Sequence, residues 1–329
     1  MIRGFTALAA ALALLGATTA GCGSDSGTAN ADGPVDLAKV TLHVGDQKGT
    51  GAQALLTAAG LLKDVKYKIS WSQFTSGPPI LEAINAGSVD IGAVGNAPPV
   101  FSAAAGAKIK VVAVDEKGVG GQAIVVPPDS TLRTVADLKG RTVAVAKGSS
   151  ANFHLLAALK RAGLAFTDVK PQYLQPPDAL AALSAGKVDA WAIWDPYTAQ
   201  AQQQVKARIL QDGTGLVNGF EFQVAGTKAL ADKGRSAAMR DYIWRIQRAH
   251  TWVNAHPADW AATFARLTGL PGQVTTTTVG RAGYKDLKLD AEVISREQQV
   301  ADTFHGAGLI PGAVRIGDFV DPRFNDLLP

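Results

Sequence analysis

From Lys39 onward the apolar positions switch between two periods. Val40–Asp46 reads as a strand, and Ala52–Val65 carries its apolar residues at helical spacing. Tyr67–Phe74 alternates with the period of a strand, Pro79–Ala86 returns to a helix stopped by Gly87, and Asp90–Gly95 is a short apolar strand. Strand and helix in strict alternation predict an α/β architecture with parallel strands.

The same order recurs at a constant offset of 99 residues. Val44, Lys48 and Gly49 match Val143, Lys147 and Gly148. Leu81, Ala83, Ala86, Gly87, Val89 and Asp90 match Leu180, Ala182, Ala185, Gly186, Val188 and Asp189, and Ala93 matches Ala192. Each half is therefore one βαβαβ unit, and two units predict two similar doubly wound lobes. Residues 38–125 together with 224–329 are assigned to lobe one and residues 126–223 to lobe two. The breaker cluster Pro127-Pro128-Asp129 marks the passage into lobe two, and Phe220–Gly226 reads as the strand crossing back. The rest is mostly helical by pattern. Ser236–Asn254 is long and amphipathic, and Trp244, Trp252 and Trp260 are expected in the core. Paired lobes of this kind place a cleft at the carboxyl ends of their parallel strands, where open α/β sheets bind ligands.

The N-terminal segment has a different pattern. Arg3 precedes an uncharged apolar stretch, Phe5 to Leu15, and then a run of small residues, which reads as an export signal over residues 1–21. Thr19-Ala20-Gly21-Cys22 resembles a bacterial lipobox, with Thr19 where that pattern carries Leu. Cys22 is the only cysteine of the chain, so no internal disulfide competes for it. A Gly/Ser-rich tether follows, and residues 22–37 are assigned to lipid anchor and tether.

Composition narrows the function. The chain has 329 residues, 47% of them apolar and 18% charged, which suits two full cores. A formal charge of +4, with no basic run interleaved with aromatics, argues against a nucleic-acid partner. The five histidines, at 43, 154, 250, 256 and 305, show no metal-ligand spacing, and no Ser-His-Asp or Cys-His pattern is readable. Neither a cofactor, a metal nor an enzymatic reaction is predicted.

The residues that carry chemistry cluster at predicted strand ends. Lys147-Gly148-Ser149-Ser150 closes one strand and opens a helix, where free N–H groups and the helix dipole favour an anion. Ser149 and Ser150 are hydroxyl donors or helix caps. Gln47 ends the equivalent strand of lobe one. Ser76 and Gly77, before a Pro-Pro pair, offer O–H and N–H donors. Asn96 and Ala97 do the same before a second Pro-Pro pair, with Asn96 as cap, ligand donor or both. In Asp189-Ala190-Trp191-Ala192-Ile193-Trp194-Asp195-Pro196-Tyr197, Trp191 is expected in the core and Trp194 in the cleft, with Asp195 beside it. No Lys/Arg pair is evident to neutralise a ligand. Donors without such a pair suit a singly charged tetrahedral head, and a tryptophan beside them suits an apolar tail.

These stretches, together with Val44-Gly45-Asp46-Gln47-Lys48-Gly49, Thr134-Val135-Ala136-Asp137-Leu138-Lys139-Gly140 and Gly87-Ser88-Val89-Asp90, resemble the periplasmic aliphatic-sulfonate-binding proteins. That family lies within the nitrate/taurine/sulfonate-binding receptors of ABC importers. The resemblance runs from about Val40 to Leu309 and departs at Asp115–Gly121, glycine-rich here where the family has a proline-containing loop. It implies a type II periplasmic-binding-protein fold hinged by crossing strands. It also implies a lipid-anchored receptor on the extracytoplasmic face of the membrane, delivering an alkanesulfonate to permease and ATPase subunits. Other small anions (taurine, nitrate) and a desulfinase-like enzyme on the same fold are the alternatives.

Overall fold

The computed structural model describes residues 34–47 and 51–329. The export signal, Cys22, Lys48 and Gly49 lie outside the described residues. In chain order the first half runs β1 (Thr41–Gln47), α1 (Ala52–Ala58), β2 (Lys68–Phe74), α2 (Gly77–Ala86), β3 (Ile91–Gly95), α3 (Ala97–Ala104) and β4 (Ile109–Lys117). The second runs β5 (Ala123–Val126), β6 (Thr142–Val145), α4 (Ser150–Arg161), β7 (Lys170–Tyr173), α5 (Pro176–Ser184), β8 (Ala190–Ile193), α6 (Tyr197–Gln204) and β9 (Arg208–Asp212). The chain ends with β10 (Phe220–Gly226), α7 (Thr227–Ala231), α8 (Lys233–Ala255), α9 (Pro257–Thr268), α10 (Gly272–Arg281), β11 (Tyr284–Leu287) and α11 (Ala291–Gly306).

These strands form two sheets, one per lobe: β11-β4-β10-β3-β1-β2 and β7-β6-β8-β5-β9. In each, three strands are parallel and the crossing strands add antiparallel pairs. The chain leaves the first sheet after β4 and enters the second at β5. It returns between β9 and β10, where β10 pairs antiparallel with both β3 and β4.

The repeat is visible in the strand register. Val44 pairs with Ile91 and Gly45 with Gly92 in one sheet; Val143 pairs with Ala190 and Ala144 with Trp191 in the other. The structure also explains the repeated Val-Asp. The Asp90 carboxylate accepts the His43 N–H at 2.9 Å, and the Asp189 carboxylate accepts the Thr142 N–H at 2.8 Å. Each aspartate satisfies a backbone donor at the start of the neighbouring strand, where the ladder leaves it open.

Three expectations need correction. The helix read over Ala52–Val65 ends at Ala58. Gly60 takes φ +71° and Leu61 N–H turns back to Leu56 O at 2.9 Å, a left-handed cap that apolar spacing alone does not reveal. Within the mostly helical C-terminal part, Tyr284–Leu287 adds β11 to the edge of β4. Trp260 is buried, but Trp244 is 37% exposed, with the Arg248 guanidinium 5.4 Å from its ring centroid. It lies on the outer face of α8, away from the Met239, Tyr242, Ile243 and Ile246 stripe that packs on Leu42 and Val44.

One apolar cluster joins the lobes. Ala97 and Val100 of α3 pack with Leu155 and Leu159 of α4 and with Val300, Ala301 and Phe304 of α11. The Phe101 and Phe304 rings meet edge to face at 4.8 Å.

The α4 core also contains a titratable group. His154 is fully buried, its Nε2 lies 2.9 Å from Asp212 O, and Nδ1 has no partner among the described residues. The carbonyl requires Nε2–H, and burial holds the imidazole down to about 4. The unfolded chain takes up this proton near pH 6.5, so the stability His154 provides is complete above that pH. It is lost as pH falls toward 4, by on the order of 3 kcal/mol. His154→Gln keeps the donor and should flatten this acid slope in urea melts between pH 6.5 and 4. Identical slopes in both proteins would contradict a buried neutral histidine.

Candidate functional site

A cavity of about 150 Å³ lies between the lobes at the carboxyl ends of β1, β3, β4 and β8. Of the residues singled out in the sequence, Gln47, Gly77, Asn96, Ser149, Ser150, Trp194 and Asp195 line it. Ser76 and Ala97 do not. Ser76 is fully buried, and its hydroxyl donates to Gln175 Oε1 at 2.9 Å, a bond that Thr75 Oγ1 also makes at 2.9 Å. Ser76 and Gln175 are repeat equivalents, so this bridge ties the lobes together across their shared pattern. Ala97 is fully buried in the α3–α4–α11 cluster.

The start of α4 shows which donors remain free. Ser149 Oγ accepts the Asn152 N–H at 3.2 Å and donates to Ala146 O at 2.7 Å. Its hydroxyl is thus occupied as a helix cap. Asn152 Oδ1 in turn accepts the Gly148 N–H at 3.1 Å. Gly148 has φ +70°, and a Cβ there would lie 3.2 Å from the Phe101 ring, so only glycine suits the turn. With the third N–H of α4 satisfied, the first two, of Ser150 and Ala151, remain for a ligand along with the Ser150 hydroxyl. That hydroxyl sits against Gly95 of the other lobe, 2.0 Å from where a Cβ would stand.

Among the described residues, lobe one offers fewer donors. In α2 and α3 the second and third residues are both prolines, Pro78-Pro79 and Pro98-Pro99. Proline has no N–H, so each helix start keeps one of its first three, on Gly77 and Ala97. Asn96 makes no side-chain cap.

Trp194 follows β8 and lines the cavity edge-on to Tyr197, whereas Trp191 is fully buried. Asp195 Oδ1 accepts the Ala199 N–H at 3.0 Å, capping α6, and Arg281 of α10 reaches across to the same carboxylate at 3.4 Å. Arg281 also donates to Gln202 Oε1 at 2.5 Å. Burial raises the Asp195 pKa above the usual carboxylate range, with Arg281 opposing it.

The sequence gives no hint of a second charged pair. Lys117 of β4 and Glu221 of β10 form an ion pair on the cavity wall, 22% and 24% exposed. Lys117 Nζ also lies 5.0 Å over the Tyr284 ring, which the register of β11 places opposite it. Burial disfavours its charge, but Glu221, Tyr284 and Asp115 together outweigh burial, and the ammonium stays protonated. Behind it Asp115 is buried, and that burial raises its carboxyl, with His250 and Lys117 opposing. No ligand-neutralising Lys/Arg pair is evident in the sequence; Lys117 and Arg281 do line the cavity, each held by a carboxylate. These residues come from crossing strands and C-terminal elements whose sequences carry no motif. The available signal was positional, since β4 ends and β10 begins at the cleft.

The cavity lining thus combines donors at the start of α4 and at Gly77 with the rings of Trp194, Phe220, Trp260, Phe264 and Tyr284. Residues 36–268 match the NMT1-like family. A protein of Escherichia coli (strain K12) named as an aliphatic sulfonates-binding protein is 40% identical over 278 residues, 84% of this chain and 86% of that protein. Two solved structures are similar. The alkanesulfonate-binding protein SsuA from Xanthomonas axonopodis pv. citri bound to MOPS has TM-score 0.80 and 35% identity, over 85% of this chain and 98% of that one. The periplasmic aliphatic sulphonate binding protein SsuA from Escherichia coli has TM-score 0.75 and 38% identity, over 86% and 92%.

Proposed function

This chain belongs to the NMT1-like family and, within it, to the aliphatic-sulfonate-binding proteins, and we propose that it is the solute-binding component of an ABC importer that captures alkanesulfonates between its lobes. The carrying observation is the make-up of the cavity lining. Unused N–H and O–H groups at the start of α4 share the lining with aromatic rings, and both neighbouring cations are already neutralised. A sulfonate has one charge and three acceptor oxygens. It matches the Ser150 and Ala151 N–H groups, the Ser150 hydroxyl and the Gly77 N–H, while Trp194 and Phe220 cover its chain. Sulfate and phosphate would bring a second charge for which no free cation lines the cavity among the described residues.

The similar proteins are named as sulfonate-binding proteins, which supports capture without turnover. In a thermal-shift series, an alkanesulfonate at about 100 times its Kd should stabilise the fold by roughly 2.7 kcal/mol, and mass spectrometry should return it unchanged. Nitrate or taurine shifting the melt while every alkanesulfonate fails would reject the sulfonate assignment and keep a receptor. A chemically altered sulfonate would indicate an enzyme.

Delivery to permease and ATPase subunits from the extracytoplasmic face follows from this reading. Cys22 is the proposed lipid attachment point, since a lone cysteine follows small residues and precedes a polar tether. Stable anchoring takes two or more acyl chains, as on a lipidated N-terminal cysteine. Cys22→Ser is expected to move the protein from the membrane to the soluble fraction or to leave it unprocessed. Unchanged, processed membrane attachment would refute the anchor.

A further inference from the structure

Asn96 lines the cavity at the end of β3 yet is only 2% exposed, and its Oδ1 has no hydrogen-bond partner among the described residues. The other end of its amide is held. Nδ2 donates to Oδ1 of Asn218, 2.8 Å away in the segment that crosses from β9 to β10. The same Asn218 Oδ1 accepts the Phe220 backbone N–H at 3.1 Å. A backbone N–H can only donate, so this contact fixes which end of the Asn218 amide is oxygen. Asn96 must then present its nitrogen to Asn218, which leaves its own oxygen unshared.

The far side of Asn218 supports the same orientation. Its Nδ2 donates to Glu297 Oε2 of α11 at 3.2 Å. Glu297 is 2% exposed, and burial outweighs that hydrogen bond, so its carboxyl titrates well above the ordinary range. In either protonation state its Oε2 is the acceptor for the Asn218 N–H. Three side chains from β3's end, the crossing segment and α11 thus form one polarised line ending at Asn96, a residue of the cavity lining.

We infer that Asn218 and Glu297 are positioning residues that hold Asn96 as a hydrogen-bond acceptor for the ligand, so that the site favours sulfonates with a hydroxyl on the carbon chain. The inference rests on the sulfonate reading above. The sulfonate head has only acceptor oxygens and cannot satisfy Asn96 Oδ1, whereas a chain hydroxyl can. A buried acceptor left unpaired is costly, so the difference is legible in affinity.

The test compares 2-hydroxyethanesulfonate with ethanesulfonate by isothermal titration calorimetry. The intact protein is expected to bind the hydroxylated ligand about 3- to 10-fold more tightly. Asn96→Ala should bring that ratio to about one, and Asn218→Ala should do the same by releasing the amide. The double variant should lose no more than either alone, a non-additivity that general destabilisation would not produce. Glu297→Gln keeps a carbonyl acceptor for Asn218 and should retain the ratio. If Asn218→Ala does not fold, Asn218→Ser, one heavy atom shorter, replaces it with the same expectation. Equal binding of both ligands by the intact protein, or an undiminished ratio in Asn96→Ala, overturns the acceptor role. An undiminished ratio in the Asn218 variant overturns the positioning role. Binding of neither ligand instead rejects the sulfonate reading, and the inference with it.

Discussion

Lys117→Met is expected to weaken alkanesulfonate binding by at least about 100-fold and to destabilise the unliganded fold by about 3 kcal/mol. The substitution preserves much of the aliphatic stem and removes the ammonium that lies over Tyr284 and neutralises Glu221. The Glu221 carboxylate then stands alone on the cavity wall. Breaking a buried pair from one side costs about 3–5 kcal/mol because the remaining charge is uncompensated. The pair is 22% and 24% exposed, which places this case at the low end. A sulfonate entering the cavity now meets an uncompensated like charge. At an effective dielectric near 20, two unit charges about 5 Å apart repel by roughly 3 kcal/mol, which is the source of the lost affinity. Glu221→Gln reverses the sign: it frees Lys117, should tighten anion binding and should admit divalent sulfate. Combining the two changes gives an uncharged wall and should recover most of the lost stability. Calorimetric titrations and urea melts of the three variants check this, and an unchanged Kd for Lys117→Met would remove the pair from the binding site.

That pair also shows what could be read from the sequence. The repeat, the alternation of strand and helix and the helix starts at Ser149-Ser150 and Asn96 are all local patterns, and local patterns set which residues stand at the carboxyl ends of parallel strands. Seven of the nine residues singled out there line the cavity. Trp194 could be placed because its repeat equivalent, Gly95, ends β3 in the other lobe. Lys117, Glu221 and Arg281 were not legible for the opposite reason. Lys117 and Glu221 are 104 residues apart and meet only because β10 crosses back between β3 and β4. Arg281 arrives from α10, which no repeat relates to anything. Ser76 and Ser149 were placed in the right neighbourhood, but their hydroxyls are taken by Gln175 and by the α4 cap. A sequence names the donors at a site; it does not show which of them the fold has already used.

Gly95→Val is expected to weaken sulfonate binding by about 10- to 100-fold or more while leaving the melting of the unliganded protein nearly unchanged. Gly95 is the last residue of β3 and has ordinary negative φ, so a β-branched residue suits the strand backbone. The difficulty lies in the opposite lobe. A Cβ at this position would stand 2.0 Å from Ser150 Oγ and 3.2 Å from Ser150 Cβ, and the nearest atom of its own sheet, Phe220 O, is 4.0 Å away. Turning the hydroxyl relieves the first contact only by taking away a donor at the start of α4. The second contact, and the two methyl groups of valine, press the lobes apart. Each lobe folds around its own sheet, so the penalty falls on the arrangement in which the lobes meet. A ligand shifts such an equilibrium only by its differential affinity for the two states, and raising the energy of the closed state subtracts directly from that difference. Restoring space from the other side supplies the control. Adding Ser150→Gly to Gly95→Val should recover the closure that the valine blocks, though not the hydroxyl donor, so affinity should rise only part of the way. Titration calorimetry gives the affinities, and small-angle scattering gives the compaction on adding ligand. A Gly95→Val protein that binds ethanesulfonate as tightly as the unmodified chain would show that the contact between Gly95 and Ser150 has no part in capture.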